Sequence, residues 1–303
     1  MSDGLSGSAQ PANAVRLSIL LVNYNGRQYL ESCLESIQRF ASVGTQVILE
    51  DNASTDGSVE AAEANHPWVE VVRSDRNLGF SKGNNLAGKS ARGKFVLLLN
   101  TDAQLLEPLE PILDWLEKHS ETGALTINML DGNKVPRACT GRFPSPLRLA
   151  FLRTMLISPA TFGAQEMYDV DWVQGSFLLM RADLWRALNG LDESYFMYAE
   201  DVDLCKRIHD AGFGCAFLPK YSYLHWGGFS TDRFPDQVRS LANYVDLHMK
   251  GLRRLLSHAI LLAGCLLRAA LFRLIAALRS REIYGPKAAA SWQGFVALMK
   301  RNA

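Results

Sequence analysis

Residues 17–22 (LSILLV) and 95–99 (FVLLL) are apolar almost without interruption. A strand with one wet face alternates apolar and polar side chains, whereas runs like these need cover on both faces. An inner strand of a largely parallel sheet, with helices on either side, supplies that cover. Residues 45–49 and 69–72 are shorter strand candidates. Tyr29, Leu30, Cys33, Leu34 and Ile37 recur at helical spacing between the first two runs. The pattern predicts strand–helix alternation over about the first hundred residues, and hence an open α/β sheet.

In such a sheet, ligands bind beyond the carboxyl ends of the strands. Three polar clusters fall there: Asn23-Tyr24-Asn25, residues 51–56, and Asn100-Thr101-Asp102. Asp51 has the chemistry to accept a hydrogen bond from a base or a ribose. Asp102 has the chemistry to hold a hard divalent cation carrying a diphosphate. Ordinary turn chemistry is the competing reading, because Asx residues suit turns and caps. For Asp56-Gly57 that reading is preferred. Residues 77–85 (NLGFSKGNN) lead into a short helix and match neither a P-loop nor a GxGxxG turn.

Further along, a helix is expected over 109–119 and a hairpin over 125–138 turning on Asp131-Gly132. Residues 140–167 are irregular, and a loop covering a site is one reading of them. Residues 171–180 (DWVQGSFLLM) read as one strand with Gly175 inside it, where a ligand can approach the backbone closely. Residues 182–188 form a short helix. Glu200, Asp201 and Asp203 then crowd the start of a helix that ends at Gly212 or Gly214. The positive end of the helix dipole favours their ionised forms. An ionised carboxylate opening on a pocket takes a proton from an attacking hydroxyl. Simple helix capping is the alternative.

A formal net charge of +1 over 303 residues argues against a general nucleic-acid binder. The five cysteines show no CxxC or Cys/His metal spacing, so reduced, mostly buried thiols are expected. Residues 1–14 are small and polar and read as a loose, disordered tail, not a signal peptide. Residues 237–281 read as nearly continuous helix. Residues 259–267 are apolar, but Arg268 and Arg273 interrupt the window of about 20 residues that a spanning helix needs. A helix lying in the membrane interface is favoured over one packed on the catalytic domain or a partner chain.

Taken in order, LSILLVNYNG, EDNASTDGS, NLGFSKGNN, LLLNTDAQL, WVQGSFLLMR, LDESYFMYAEDVDLCKR and the later His225 resemble family 2 glycosyltransferases. The likeness is to the rhamnosyltransferase-like branch of bacterial polysaccharide biosynthesis, and it spans roughly residues 17–226. It implies a GT-A fold, a Rossmann-like open mixed sheet flanked by helices, over residues 15–235. The nucleotide-binding half covers about 15–103, the acceptor-binding half about 104–235, and a helical extension 236–303.

By matching positions, Asp51 would bind the pyrimidine base, with Asn23, Tyr24, Asn77 and Asn100 in the nucleotide pocket. Asp102 stands at the metal-binding carboxylate of a DxD-type motif. Asn100 replaces that motif's first Asp, which leaves a ribose or sugar contact open. Asp201 matches the catalytic base of the ED motif, with Glu200 in an accessory role. Trp172, Gly175 and Asp203 fall to the donor and acceptor pocket. His225 matches a His that helps bind the metal in some relatives; a structural hydrogen-bonding role is the alternative.

The resemblance thus implies an inverting, metal-dependent glycosyltransferase that uses Mg²⁺ or Mn²⁺. The donor would be a dTDP- or UDP-sugar, dTDP-rhamnose first. The acceptor would be a hydroxyl of a lipid-linked cell-surface glycan at the cytoplasmic face of a bacterial membrane. The residues suit that chemistry: the diphosphate leaving group needs a counter-charge, and the acceptor hydroxyl needs a base on the opposite face. The QxxRW motif of processive synthases is absent, so transfer of one or a few sugars is expected. Two alternatives stand beside this. A sugar-nucleotide nucleotidyltransferase would want a glycine-rich, Arg- and Lys-bearing loop after the first strand. An inactive nucleotide- or glycan-binding protein is opposed by the intact Asp102 and Asp201.

Overall fold

The computed structural model describes residues 15–151, 155–227 and 233–301. The tail expected over 1–14 lies outside the described residues, as does part of the irregular stretch over 140–167.

The chain begins β1 (Leu17–Asn23), α1 (Arg27–Phe40), β2 (Gln46–Asp51), α2 (Ser58–Asn65), β3 (Val69–Arg73), α3 (Gly79–Gly88) and β4 (Phe95–Leu99). It continues through β5 (Ala103–Leu105), α4 (Glu110–Lys118), β6 (Thr122–Leu130), β7 (Pro136–Arg137), β8 (Thr140–Gly141) and α5 (Pro146–Ala150). Next come β9 (Tyr168–Val170), β10 (Trp172–Val173), β11 (Phe177–Arg181), α6 (Ala182–Ala187), α7 (Glu200–Asp210) and β12 (Gly214–His225). Three helices follow: α8 (Phe234–His248), α9 (Gly251–Leu278) and α10 (Arg281–Arg301).

The main sheet runs β3-β2-β1-β4-β11-β6-β12-β5. The first four strands are parallel. β11 is antiparallel to β4 and β6, β12 is parallel to β6, and β5 is antiparallel to β12. The sheet is therefore open and mixed, as expected. β4 is buried along its whole length. Ser18, the one polar residue in the first run, donates to Gln46 Oε1 at 2.7 Å and accepts the backbone N–H of Gly93 at 2.9 Å. A buried hydroxyl with both roles filled carries no desolvation penalty worth avoiding. On α1 the expected stripe is the buried one: Leu30, Cys33, Leu34 and Ile37. Burying each such leucine contributes about 1.5–3 kcal/mol. All five cysteines are buried and unpaired.

The structure corrects four expectations. Residues 171–180 are not one strand: β10 pairs with β8 in a separate two-stranded sheet, and β11 enters the main sheet. Residues 174–176 break away because the Gly175 N–H turns toward Asp201. The hairpin turn is wider than Asp131-Gly132. Asp131 N–H bonds to Val135 C=O at 3.0 Å, and Lys134, not Gly132, takes a positive φ of 60°.

The C-terminal helix is divided, with Gly251 at φ 54° opening the path between α8 and α9. Finally, α9 does contain a stretch long and apolar enough to cross a bilayer, by length and composition. Its leucines and alanines outweigh the arginines expected to interrupt it.

Candidate active site

The chain leaves β1 toward β2 and β3 and returns to β4 on the other side of β1. The strand order therefore reverses between β1 and β4, which opens a crevice at their carboxyl ends. All three polar clusters reach this end. Asn23 is buried, and its amide nitrogen lies 3.2 Å from Asp51 Oδ1 and 2.8 Å from Ser58 Oγ. Its Oδ1 is buried without a partner among the described residues. Asn25, at φ 53°, accepts Thr55 N–H at 2.8 Å, so the loops after β1 and β2 are stitched together. Tyr24 is half exposed beside them. Asp51 is buried and takes Ser54 N–H at 3.2 Å. Asp56 receives the N–H groups of Arg27 and Ser58 at 2.9 and 3.0 Å, which is the turn role expected of it.

The loop after β4 meets the end of β12. β5 pairs antiparallel with β12, Ala103 opposite His225, and this brings Asp102 to His225. Asp102 Oδ1 and His225 Nε2 are 3.2 Å apart, and Asn100 Nδ2 is also 3.2 Å from that nitrogen. Burial works against ionised Asp102, but the hydrogen bond and charge of His225 overcome it and hold its pKa below the ordinary carboxylate value. Gly227 packs so closely on Asp102 Oδ2 that a side chain there would collide with it. Trp226 donates its N–H to Asp102 C=O at 2.9 Å and stacks its ring on Tyr29.

No group of three or more His, Cys, Asp or Glu side chains suited to a metal occurs among the described residues. One carboxylate and one imidazole nevertheless fit a divalent cation that takes its other oxygens from a diphosphate and water. The donor set therefore suits such an ion.

Across the sheet, Tyr198 and Ala199 both hold left-handed backbone, φ 73° and 62°, just before α7. Such non-glycine conformations cost about 1–3 kcal/mol each and persist only where surrounding contacts impose them. Here Ser240 Oγ donates to Met197 C=O at 2.8 Å, and Phe80 N–H donates to Phe196 C=O at 2.8 Å. Ala199 is the N-cap and makes no side-chain cap, so Glu200, Asp201 and Asp203 lie within the first turn and do not occupy the capping position.

Asp201 Oδ2 accepts Gly175 N–H at 2.9 Å, and its Oδ1 accepts Val202 N–H at 2.8 Å. Burial raises the Asp201 pKa despite those bonds. Glu200 is buried, with one oxygen unpartnered among the described residues. Burial, then the charges of Asp201 and Asp203, push its pKa well up.

Two residues assigned to pockets are placed elsewhere. Asp203 is buried between Arg207 Nε at 2.8 Å and His248 Nε2 at 2.6 Å, so it faces α8 and is engaged there. Trp172 is buried and donates to Arg142 C=O at 3.1 Å, wedged against Gly141. Asn77, assigned to the nucleotide pocket, is half-buried, and its Oδ1 accepts Gly79 N–H at 2.9 Å in the turn that opens α3.

Other residues escaped sequence reasoning. Asn52, buried, accepts Leu78 N–H at 2.9 Å and so ties the β2 loop to α3. Ser176 and Tyr223 share a buried hydrogen bond of 2.7 Å beneath the site. Glu50 is buried behind Asp51 with its pKa pushed up to about 7: burial raises it, the Ser74 hydroxyl opposes this, and Asp51 adds to it. Only the position of Asn52 and Glu50 at a strand's carboxyl end could have marked them.

An open sheet that reverses at β1 and β4, with amide and acid side chains at the reversal and a second acidic cluster on α7, is the arrangement of the GT-A architecture. Comparisons agree. The family model for glycosyl transferase family 2 matches residues 18–154. The N-acetylglucosaminyl-diphospho-decaprenol L-rhamnosyltransferase of Mycobacterium tuberculosis is 31% identical over 245 residues, covering 72% of this chain and 78% of that protein. Rhamnosyltransferase WbbL of Escherichia coli is 24% identical over 225 residues, 69% of this chain and 82% of that one. Among solved structures, the mannosyltransferase PcManGT from Pyrobaculum calidifontis, in complex with GDP-Man and Mn²⁺, superposes with a TM-score of 0.58 at 17% identity. That match covers 99% of this chain and 90% of that chain. The chain belongs to glycosyl transferase family 2 and is a glycosyltransferase.

Proposed function

We propose that the protein transfers a single sugar, with inversion, from a dTDP- or UDP-sugar to a hydroxyl of a lipid-linked cell-surface glycan. Rhamnose from dTDP-rhamnose is the first candidate. The two relatives named as rhamnosyltransferases support that donor, and the decaprenol-diphosphate in the name of one supports the acceptor class. The observation that carries the mechanism is the bridge at residues 174–176. Gly175 N–H holds Asp201 at 2.9 Å, and Ser176 C=O accepts Asn100 N–H at 3.2 Å. One tripeptide thus connects the α7 carboxylate to the loop that carries Asp102.

In this reading Asp201 takes the proton from the acceptor hydroxyl as it attacks the anomeric carbon. Gly175 and Val202 N–H groups fix the carboxylate's orientation. Its raised pKa makes it a better proton acceptor than an ordinary carboxylate while it stays ionised. Glu200 is an accessory group behind it. Asp51 and Asn23 receive the base, and Tyr24 lies over the nucleotide. Asp102 and His225 would hold a Mg²⁺ or Mn²⁺ ion, which when bound supplies counter-charge to the donor diphosphate. Asn100 orients His225.

The two halves, about 15–103 and 104–235, frame this crevice. α8, hydrogen-bonded to Ser194, Met197 and Asp203, is better counted with the catalytic body than with the helical extension. α9 and α10 would hold the enzyme at the cytoplasmic membrane face, where a lipid-linked acceptor is found.

Mass spectrometry of a panel of sugar nucleotides with Mg²⁺ or Mn²⁺ tests the donor, and NMR of the product tests the anomeric outcome. Retained configuration would overturn the single-displacement mechanism, and exclusive use of a GDP-sugar would overturn the assigned base pocket.

A further inference from the structure

The helices α9 and α10 pack against each other and leave one face of α9 uncovered. Leu256, Leu267, Leu271, Leu274 and Leu278 are all exposed along it. Residues 251–301 carry nine Lys and Arg against one acid, Glu282, a formal charge of +8. The whole chain carries +1, so the rest is at −7 and the basic charge is gathered here. An apolar face bordered by an excess of cations suits a bilayer with anionic headgroups.

Not all of these cations are free to meet one. Arg268 is held between Phe234 and Phe272, 4.5 and 4.9 Å from the ring centres. Lys287 lies over Phe272 and Tyr284. Arg254 and Arg301 are paired with Asp246. Arg273 and Arg281 differ: both are exposed, and neither has a carboxylate partner among the described residues. They border a cleft of about 410 Å³ between the two helices, whose other walls include Ala276, Ala277, Gly285 and Ala288. Arg273 also lies 5.9 Å from the Trp292 ring centre, which steadies its guanidinium at the cleft's edge. Small side chains leave room for a ligand with a narrow body, and two guanidiniums supply the fork geometry that phosphate oxygens accept.

We propose that this cleft is a binding site for the phosphate of an anionic phospholipid headgroup, with Arg273 and Arg281 as its ligands. The inference rests on the membrane-face reading above. It adds a stoichiometric lipid site to what would otherwise be a diffuse electrostatic attraction.

The test uses the full chain and a short-chain phosphatidylglycerol kept below its micelle concentration, so that no charged surface is present. Calorimetry should give saturable one-to-one binding, at least about tenfold tighter than inorganic phosphate or the matching phosphatidylcholine. The R273Q/R281Q variant should lose this binding about thirtyfold or more, from two contacts of about five- to sixfold each. The R253Q/K300Q variant removes the same charge outside the cleft and should retain it. Near-UV circular dichroism and turnover of a water-soluble acceptor should be unchanged in both variants.

Equal loss in the two variants, unaltered binding in R273Q/R281Q, no binding by the wild type, or equal affinity for inorganic phosphate would each overturn the site. Flotation with phosphatidylglycerol vesicles separates the two levels. If the wild-type protein fails to float, the membrane reading itself falls; if it floats but shows no one-to-one binding, only the cleft does.

Discussion

Asp203 Oδ1 and His248 Nε2 stand 2.6 Å apart, so the helix carrying Asp201 is fastened from behind to α8. Arg207 holds the other Asp203 oxygen at 2.8 Å and also donates to the carbonyls of Leu188 and Gly190. The first turn of α7 is thereby set rigidly against its support, while Asp201 points the other way, toward Gly175.

Asp203→Ala should be strongly destabilising, because it strands Arg207 and His248 near a buried, emptied site. The expected loss is about 3 kcal/mol or more, read as a lowered urea midpoint. A midpoint unchanged from wild type would show that the ion pair contributes no stability.

Asp201→Asn should reduce turnover by about 10²–10⁴-fold, the usual worth of a general base. Asn can still accept Gly175 N–H, so nucleotide affinity measured by calorimetry should stay within about twofold of wild type. The raised Asp201 pKa also predicts the shape of the pH profile. The base works only when ionised, so activity should fall as pH drops through a value above the ordinary carboxylate pKa. An acid limb at or below the ordinary value would count against Asp201.

Chelation should abolish activity, and added Mn²⁺ or Mg²⁺ should restore it. Asp102→Asn should raise the metal concentration needed for half-maximal rate about tenfold or more, since a carboxylate ligand is lost. Full activity in excess EDTA would remove Asp102 from a metal-binding role.

Gly79 has φ 81°, and a Cβ there would lie 2.5 Å from Phe196 C=O. Gly79→Ala should cost about 2 kcal/mol from backbone strain and the displaced contact. It should also loosen the Tyr198-Ala199 turn, which hydrogen exchange of the 195–203 segment would report as faster exchange.

Glu50, whose pKa rises from 4.5 to about 7 on folding, predicts a pH-dependent stability. The folded state binds this proton more tightly than the unfolded chain. Stability from this group is fully present below about pH 4.5 and is lost as pH rises through about 7. Glu50→Gln should remove that slope and stabilise the protein at pH 8, measured by urea unfolding across pH. A slope identical to wild type would reject the assignment.

Much of this molecule is legible in local pattern. The runs at 17–22 and 95–99, the stripe Leu30, Cys33, Leu34 and Ile37, and the Asx clusters after each strand follow from short-range rules: which faces are buried, and which residues tolerate turns. Those rules also placed Asn23, Asp51 and Asp102 at the ligand-binding edge, because a parallel sheet orders its strand ends.

The fates of individual polar side chains were decided elsewhere. In sequence, Glu200, Asp201 and Asp203 are alike, a cluster of acids at a helix start. In the fold, one is buried with an oxygen that has no partner among the described residues, one is held by Gly175, and one is locked to Arg207 and His248. Asn100 and His225 meet although 125 positions separate them, because β5 and β12 pair antiparallel. Residues 171–180 split because the backbone at Gly175 finds a carboxylate in place of a neighbouring strand. Such partners come from distant chain segments, and which donor reaches which acceptor depends on packing that no window of neighbouring residues contains.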